Sequence, residues 1–179
     1  MKAFLLSLAA LLFSSPVLTG EAFPGMDTQK LCLLMRSEGF SGPKKWRNQG
    51  NGVWGCTTAR KKLVQGDPAG ASDVRYRVMG SESQPRKLLL ELRMRSYRGP
   101  QGVLEKFHEY ARTMTEKATG HSLPSRTREA FLSAIEGEWE AEGYRFRLEK
   151  RFSRGSTYDL WFTVEPSTGE ELFPAEKGE

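Results

Sequence analysis

The chain has 179 residues, 38% of them hydrophobic and 27% charged, with a formal net charge of +5 at pH 7. That length suits one domain with a real core. Past the first residues no apolar run reaches membrane-spanning length, which excludes a helical span there, and the basic balance favours anionic partners.

The chain opens MKAFLLSLAALLFSSPVLTGEAF. Lys2 supplies a positive start, Phe4 to Phe13 is almost unbroken apolar sequence, and Pro16 precedes a small, polar segment. This is the layout of a secretory signal peptide, too short for a comfortable membrane span. Cleavage near Ala22 would put Gly20 and Ala22 at the small-residue positions. The expectation is an exported protein, periplasmic in a bacterium, with residues 1–22 as signal peptide, 23–164 as the folded domain and 165–179 as a disordered acidic tail. The tail carries five acids against one base, and residues 23–164 then carry 25 bases against 16 acids.

Asp27 suits the N-cap of a helix running to about Glu38, with Leu31, Leu34 and Met35 on one face and Gly39 as its stop. A polar connection leads to a short strand at Val53–Thr58. The connection ends in GNGVWGC, Gly50 to Cys56, which contains a literal G-x-G-x-x-G. A dinucleotide loop needs a strand before its first glycine and a helix after its last. Lys44-Lys45-Trp46-Arg47-Asn48-Gln49 is not a buried strand, and Cys56-Thr57-Thr58 starts a helix poorly. No cofactor is therefore expected. A cysteine nucleophile would need a base nearby, and Cys32, Cys56, His108 and His121 lack compact zinc-ligand spacing, so no metal is expected either. In an oxidising compartment the two cysteines are expected to pair, Cys32 with Cys56, pinning the first helix to the first strand.

Gly66 to Ser72 reads as a loop. Val74–Val78 and Lys87–Arg95 alternate with period two, placing Val74, Tyr76, Val78, Leu88, Leu90, Leu92 and Met94 inward. Pro100 then opens a long helix with Val103, Leu104, Phe107, Tyr110, Ala111, Met114 and Ala118 on one stripe, ended by Gly120. A second helix runs from Ser125 to about Glu136 with Phe131, Leu132 and Ile135 apolar. Two more alternating strands follow, one with Tyr144, Phe146, Leu148 and Phe152 inward, the other with Tyr158, Leu160, Phe162 and Val164. The order α-β-β-β-α-α-β-β gives an α+β class: a single two-layer domain, an antiparallel sheet of about five strands covered on one face by helices.

If the apolar positions face the helices, the other sheet face collects Arg75, Arg77, Lys87, Arg93, Arg95, Arg145, Arg147, Arg151 and Trp161, opposed by Glu91, Glu149 and Asp159. Arginine forks suit carboxylates and phosphates and stack on rings, so this face is expected to hold an anionic ligand, an anionic envelope component or an acidic protein surface. The competing expectation is a solvated face whose arginines pair with cross-strand acids. Nucleic acid is disfavoured, because only Trp161 would be left outside for stacking. The reading is a non-enzymatic exported binding or envelope-assembly module. Its alternative is a small exported hydrolase using His108 or His121 with nearby carboxylates, which would require a concave, partly buried site.

Overall fold

A computed structural model describes residues 22–42, 45–63, 72–95, 100–154 and 157–167. The expected signal peptide up to residue 21 and the tail beyond residue 167 lie outside the described residues, as does most of the Gly66–Ser72 loop.

The elements in chain order are α1 (Thr28–Leu33), a 3-10 turn (Arg36–Glu38), β1 (Arg47–Gly50), β2 (Val53–Thr57), β3 (Lys61–Leu63), β4 (Ser72–Gly80), β5 (Pro85–Met94), α2 (Pro100–Thr119), α3 (Thr127–Ser133), β6 (Gly137–Ala141), β7 (Tyr144–Arg154) and β8 (Thr157–Pro166). The class is α+β, as expected, but the sheet is larger than five strands. Eight antiparallel strands run in the order β1-β2-β4-β5-β8-β7-β6, with β3 pairing β4 off that path. Two meanders meet at the non-local β5–β8 pair, and α2 and α3 make the connection between them.

The three unexpected strands carry almost no apolar pattern. β1 is RNQG and wholly exposed, β3 is the three residues KKL, and β6 alternates acids with Gly137, Trp139 and Ala141. β1 and β6 form the two ends of the strand order, where a charged or polar edge discourages pairing with another chain. Their partners, not their own burial, make them strands.

The expected inward positions, Phe152 excepted, share one core. Val74, Leu92 and Leu160 lie side by side across the sheet, as do Tyr76, Leu90, Phe162 and Leu148, and Val78, Leu88, Val164 and Phe146. All are buried in one cluster with the α2 stripe, Leu31, Met35 and Phe131. Phe131 of α3 touches both Phe107 of α2 and Phe162 of β8, with ring centroids 5.5 and 5.1 Å away. Phe23 is also buried, stacked on Tyr144 at 5.9 Å, so the core begins within the first described residues.

Two helices are shorter than expected. Asp27 does cap α1, its carboxylate accepting from Lys30 N at 2.7 Å, but the α-helix gives way to a 3-10 turn before Gly39, whose φ of 78° ends it. α3 stops at Ser133 because Ala134 takes φ 49°, which leaves Ile135 60% exposed instead of on an apolar face. Phe152 is likewise 76% exposed, not inward. Between Arg151 and Arg154 the register of β7 against β8 shifts, and Phe152 itself has φ 51°. This β-bulge breaks the alternation on which its inward placement rested.

The G-x-G-x-x-G stretch is a hairpin. Asn51 and Gly52 have φ of 52° and 75°, the left-handed pair that a tight two-residue turn between β1 and β2 requires. The last glycine has a different job. A Cβ on Gly55 would stand 2.4 Å from the Val78 carbonyl oxygen of β4. Gly55→Ala is therefore expected to cost about 2 kcal/mol through forced separation of β2 from β4, read as a lower denaturation midpoint in urea. Cys56 Sγ lies 2.06 Å from Cys32 Sγ, the distance of a disulfide bond, in the expected pairing.

Candidate functional site

The strand register fixes which charged side chains stand together on the side of the sheet opposite the core cluster. Arg75 is level with Glu91, Trp161 and Glu149. Arg77 is level with Leu89, Thr163, Arg147 and Glu138. Lys62, Asp73, Arg93, Asp159 and Arg151 form a third row nearer one end. Arg145 lies beside Glu140 and Glu165 at the other end. The sequence thus placed its arginines on the correct side, and the structure divides them into three groups.

In the first group the charge is matched at the β6 end. Arg145 reaches Glu138 and Glu140, each at 3.3 Å, and Arg147 reaches Glu138 at 3.1 Å. Lys87 pairs with Glu165 at 2.5 Å. That glutamate, read from sequence as the first tail residue, belongs to β8. The run Glu136, Glu138, Glu140, Glu142 is partly the acidic half of this ladder, so these arginines offer little uncommitted charge.

The second group surrounds a buried carboxylate. Glu91 is 1% exposed although it faces away from the core cluster. Its Oε2 accepts from Arg75 Nε and from Arg60 at 3.1 Å, and its Oε1 accepts from Arg77 at 2.9 Å. Arg60 also holds Asp73 at 2.6 Å. Burial alone would raise the Glu91 carboxyl, but the hydrogen bonds and charges of Arg75 and Arg77 outweigh it and the pKa is lowered. Arg60 was not foreseen. It lies in the connection between β2 and β3, where no periodicity marks a side chain as facing the sheet.

The third group is under-compensated. Arg93 and Arg95 have no carboxylate within ion-pair distance among the described residues, although both guanidinium charges act on Asp159. Burial raises the Asp159 carboxyl in spite of Arg95, Arg93 and Arg60 around it. Arg151 holds Glu149 at 3.0 Å and lies 4.8 Å from the centre of the half-buried Trp161 ring. Lys62 and Arg154 add charge near this end, and both are exposed; Lys150 pairs with Leu160 on the core side, its Nζ 4.3 Å from the centre of the Tyr158 ring. Cations outnumber acids here, whereas the β6 end balances.

A small cleft opens beside this end, on the α2 side of β3. It holds about 200 Å³ and is lined by Lys61, Lys62, Leu63, Gly102, Val103, Lys106 and Tyr110. Lys61 Nζ donates to the Glu38 carbonyl at 2.5 Å and to Tyr110 Oη at 2.8 Å, and Lys106 is tied to Glu109 at 2.7 Å.

Among the described residues neither histidine is joined to acids in a concave site. His108 is half-buried with its ring edge on Phe131 at 5.1 Å. Burial, then Arg128 and Arg112, lower its pKa. His121 Nδ1 is 3.8 Å from Glu142 Oε2, with both side chains exposed. Among the described residues no three His, Cys, Asp or Glu side chains gather as a metal site would require, and no helix is long and apolar enough to cross a membrane. Comparison with family models, with curated proteins and with solved structures finds no match to this chain.

Proposed function

We propose that the protein is an exported, non-enzymatic binding module that takes an anionic ligand or acidic partner surface at one end of its sheet. In this reading the signal peptide directs the chain to the periplasm or the exterior. The helices form a layer over the core side only and leave the arginine side open. The observation that carries it is the unequal pairing of the arginines: among the described residues Arg93 and Arg95 have no carboxylate within ion-pair distance, while Arg145 and Arg147 are paired through Nε with Glu138 and Glu140. A guanidinium whose charge is already met by a carboxylate attracts an anion less than one without an acid in ion-pair range.

This predicts a positional effect where net charge alone predicts none. On an immobilised sulfated polysaccharide, wild type should be retained and released by salt. Arg93→Ala/Arg95→Ala should elute much earlier, and Arg145→Ala/Arg147→Ala should elute close to wild type. Equal losses from the two pairs would show that retention follows bulk charge and would sink the reading. Export is tested separately by the intact mass of protein secreted from its host, which should lack about 22 residues.

A further inference from the structure

Phe152 is the feature that the fold and the ion pairs leave unexplained. Among the described residues it is the most exposed of the large apolar side chains, at 76%, and its φ of 51° is a conformation that bulky residues rarely adopt. Such a position suits glycine, and holding an aromatic residue there costs stability that the exposed ring does not return through packing. The bulge carrying it lies where β7, β8 and β5 end together, since Arg151 pairs Asp159, Asp159 pairs Arg93, and Arg154 pairs Thr157. Phe152 thus shares this end of the sheet with Arg151 and Arg154 of its own strand, with Arg93 of β5 and with Arg95 just past the end of β5.

We infer that this end of the sheet docks on a bilayer surface carrying anionic phospholipid headgroups, with Phe152 entering the interfacial region and the surrounding cations engaging phosphates. The inference rests on the anion-binding reading above and names its partner class. The chemistry favours a membrane over a soluble anion because a soluble anion needs no exposed ring. An exposed aromatic side chain at an end of the sheet rich in arginine meets both layers of a bilayer interface, apolar acyl boundary and charged headgroups. The same bulge that spoils the inward alternation of β7 is what puts the ring outside.

The test is co-sedimentation of the full, processed protein with vesicles of equimolar phosphatidylglycerol and phosphatidylcholine, against vesicles of phosphatidylcholine alone. Wild type should bind the first and barely the second, with affinity falling as salt rises. Phe152→Gly should bind about tenfold more weakly, from the loss of one buried aromatic side chain, while its melting temperature stays level or rises because glycine accepts the positive φ. Phe152→Trp should restore binding. Arg93→Ala/Arg95→Ala should lose about fivefold per arginine. Equal binding to both vesicle types, no binding to either, or undiminished binding by Phe152→Gly would overturn the inference. If vesicle binding is absent but polysaccharide retention still depends on Arg93 and Arg95, only the membrane inference falls. If both are absent, the anion-binding reading falls with it.

Discussion

Replacing Cys32 and Cys56 together with alanine is expected to remove about 3.5 kcal/mol of stability, the chain-entropy value for releasing a loop of this length. The two sulfurs are 24 residues apart in sequence. The bond matters beyond its loop because of what it joins. α1 has only six residues, too short to persist by itself, and β2 pairs with the exposed β1 on one side and β4 on the other. Against a typical domain stability of about 5–15 kcal/mol, losing the bond puts folding at body temperature in doubt. The measurement is a urea melt of the double variant beside oxidised and reduced wild type. The double variant and the reduced protein should share a lowered midpoint. A midpoint equal to that of the oxidised protein would show that α1 is held by its apolar contacts, Leu31 and Met35, and by the hydrogen bond from Tyr76 Oη to the Leu31 carbonyl at 2.9 Å.

The second large effect is expected at Glu91. Its side chain is 2% exposed, and three arginines depend on it. Removing one member of a buried ion cluster is costly because the remaining charges lose their partner in a poorly hydrated place, so Glu91→Gln should cost about 3 kcal/mol. The lower end of the usual range applies because Arg60, Arg75 and Arg77 are each partly exposed and can turn toward water. Glu149→Gln, which loosens the more exposed pairs to Arg147 and Arg151, should cost less than about 1 kcal/mol.

Linkage gives the Glu91 cluster a pH signature. The folded-state pKa of Glu91 lies below its ordinary value of 4.5. Its stabilisation is therefore complete above the unfolded pKa and is lost as pH falls through the lower folded one. Urea midpoints measured downward from neutral pH should fall for wild type below about pH 4.5, and Glu91→Gln should lack that component. Parallel acid limbs in the two proteins would show that Glu91 contributes nothing through its charge.

This carboxylate also marks where sequence reading stops. Glu91 sits at an outward position of an alternating strand, and alternation assigns it to solvent. In the structure Arg60, Arg75 and Arg77 close over it, and Leu89 and Thr163 on the same side are buried too. No local pattern reports that closure, because it depends on β4, β5 and β8 being neighbours and on a guanidinium arriving from outside any strand.

Several features were legible because each depends on a short window of chain. The Asp27 cap, the α2 stripe, the inward residues of β4, β5, β7 and β8, and the Cys32–Cys56 pair follow from local chemistry, periodicity or cysteine count. Strands β1, β3 and β6 were not, since their partners rather than their residues define them. The arginines show the division most clearly. Period two fixes the side of the sheet on which Arg75, Arg93 and Arg145 emerge, since successive side chains point to opposite faces. Strand order and register alone decide that Arg145 meets Glu140, that Arg75 meets Glu91, and that Arg93 is left beside Asp159 with no carboxylate within ion-pair distance among the described residues. A side chain's face is a property of its own backbone, whereas its compensation depends on neighbours tens of residues away, which only the folded sheet brings within reach of a charge.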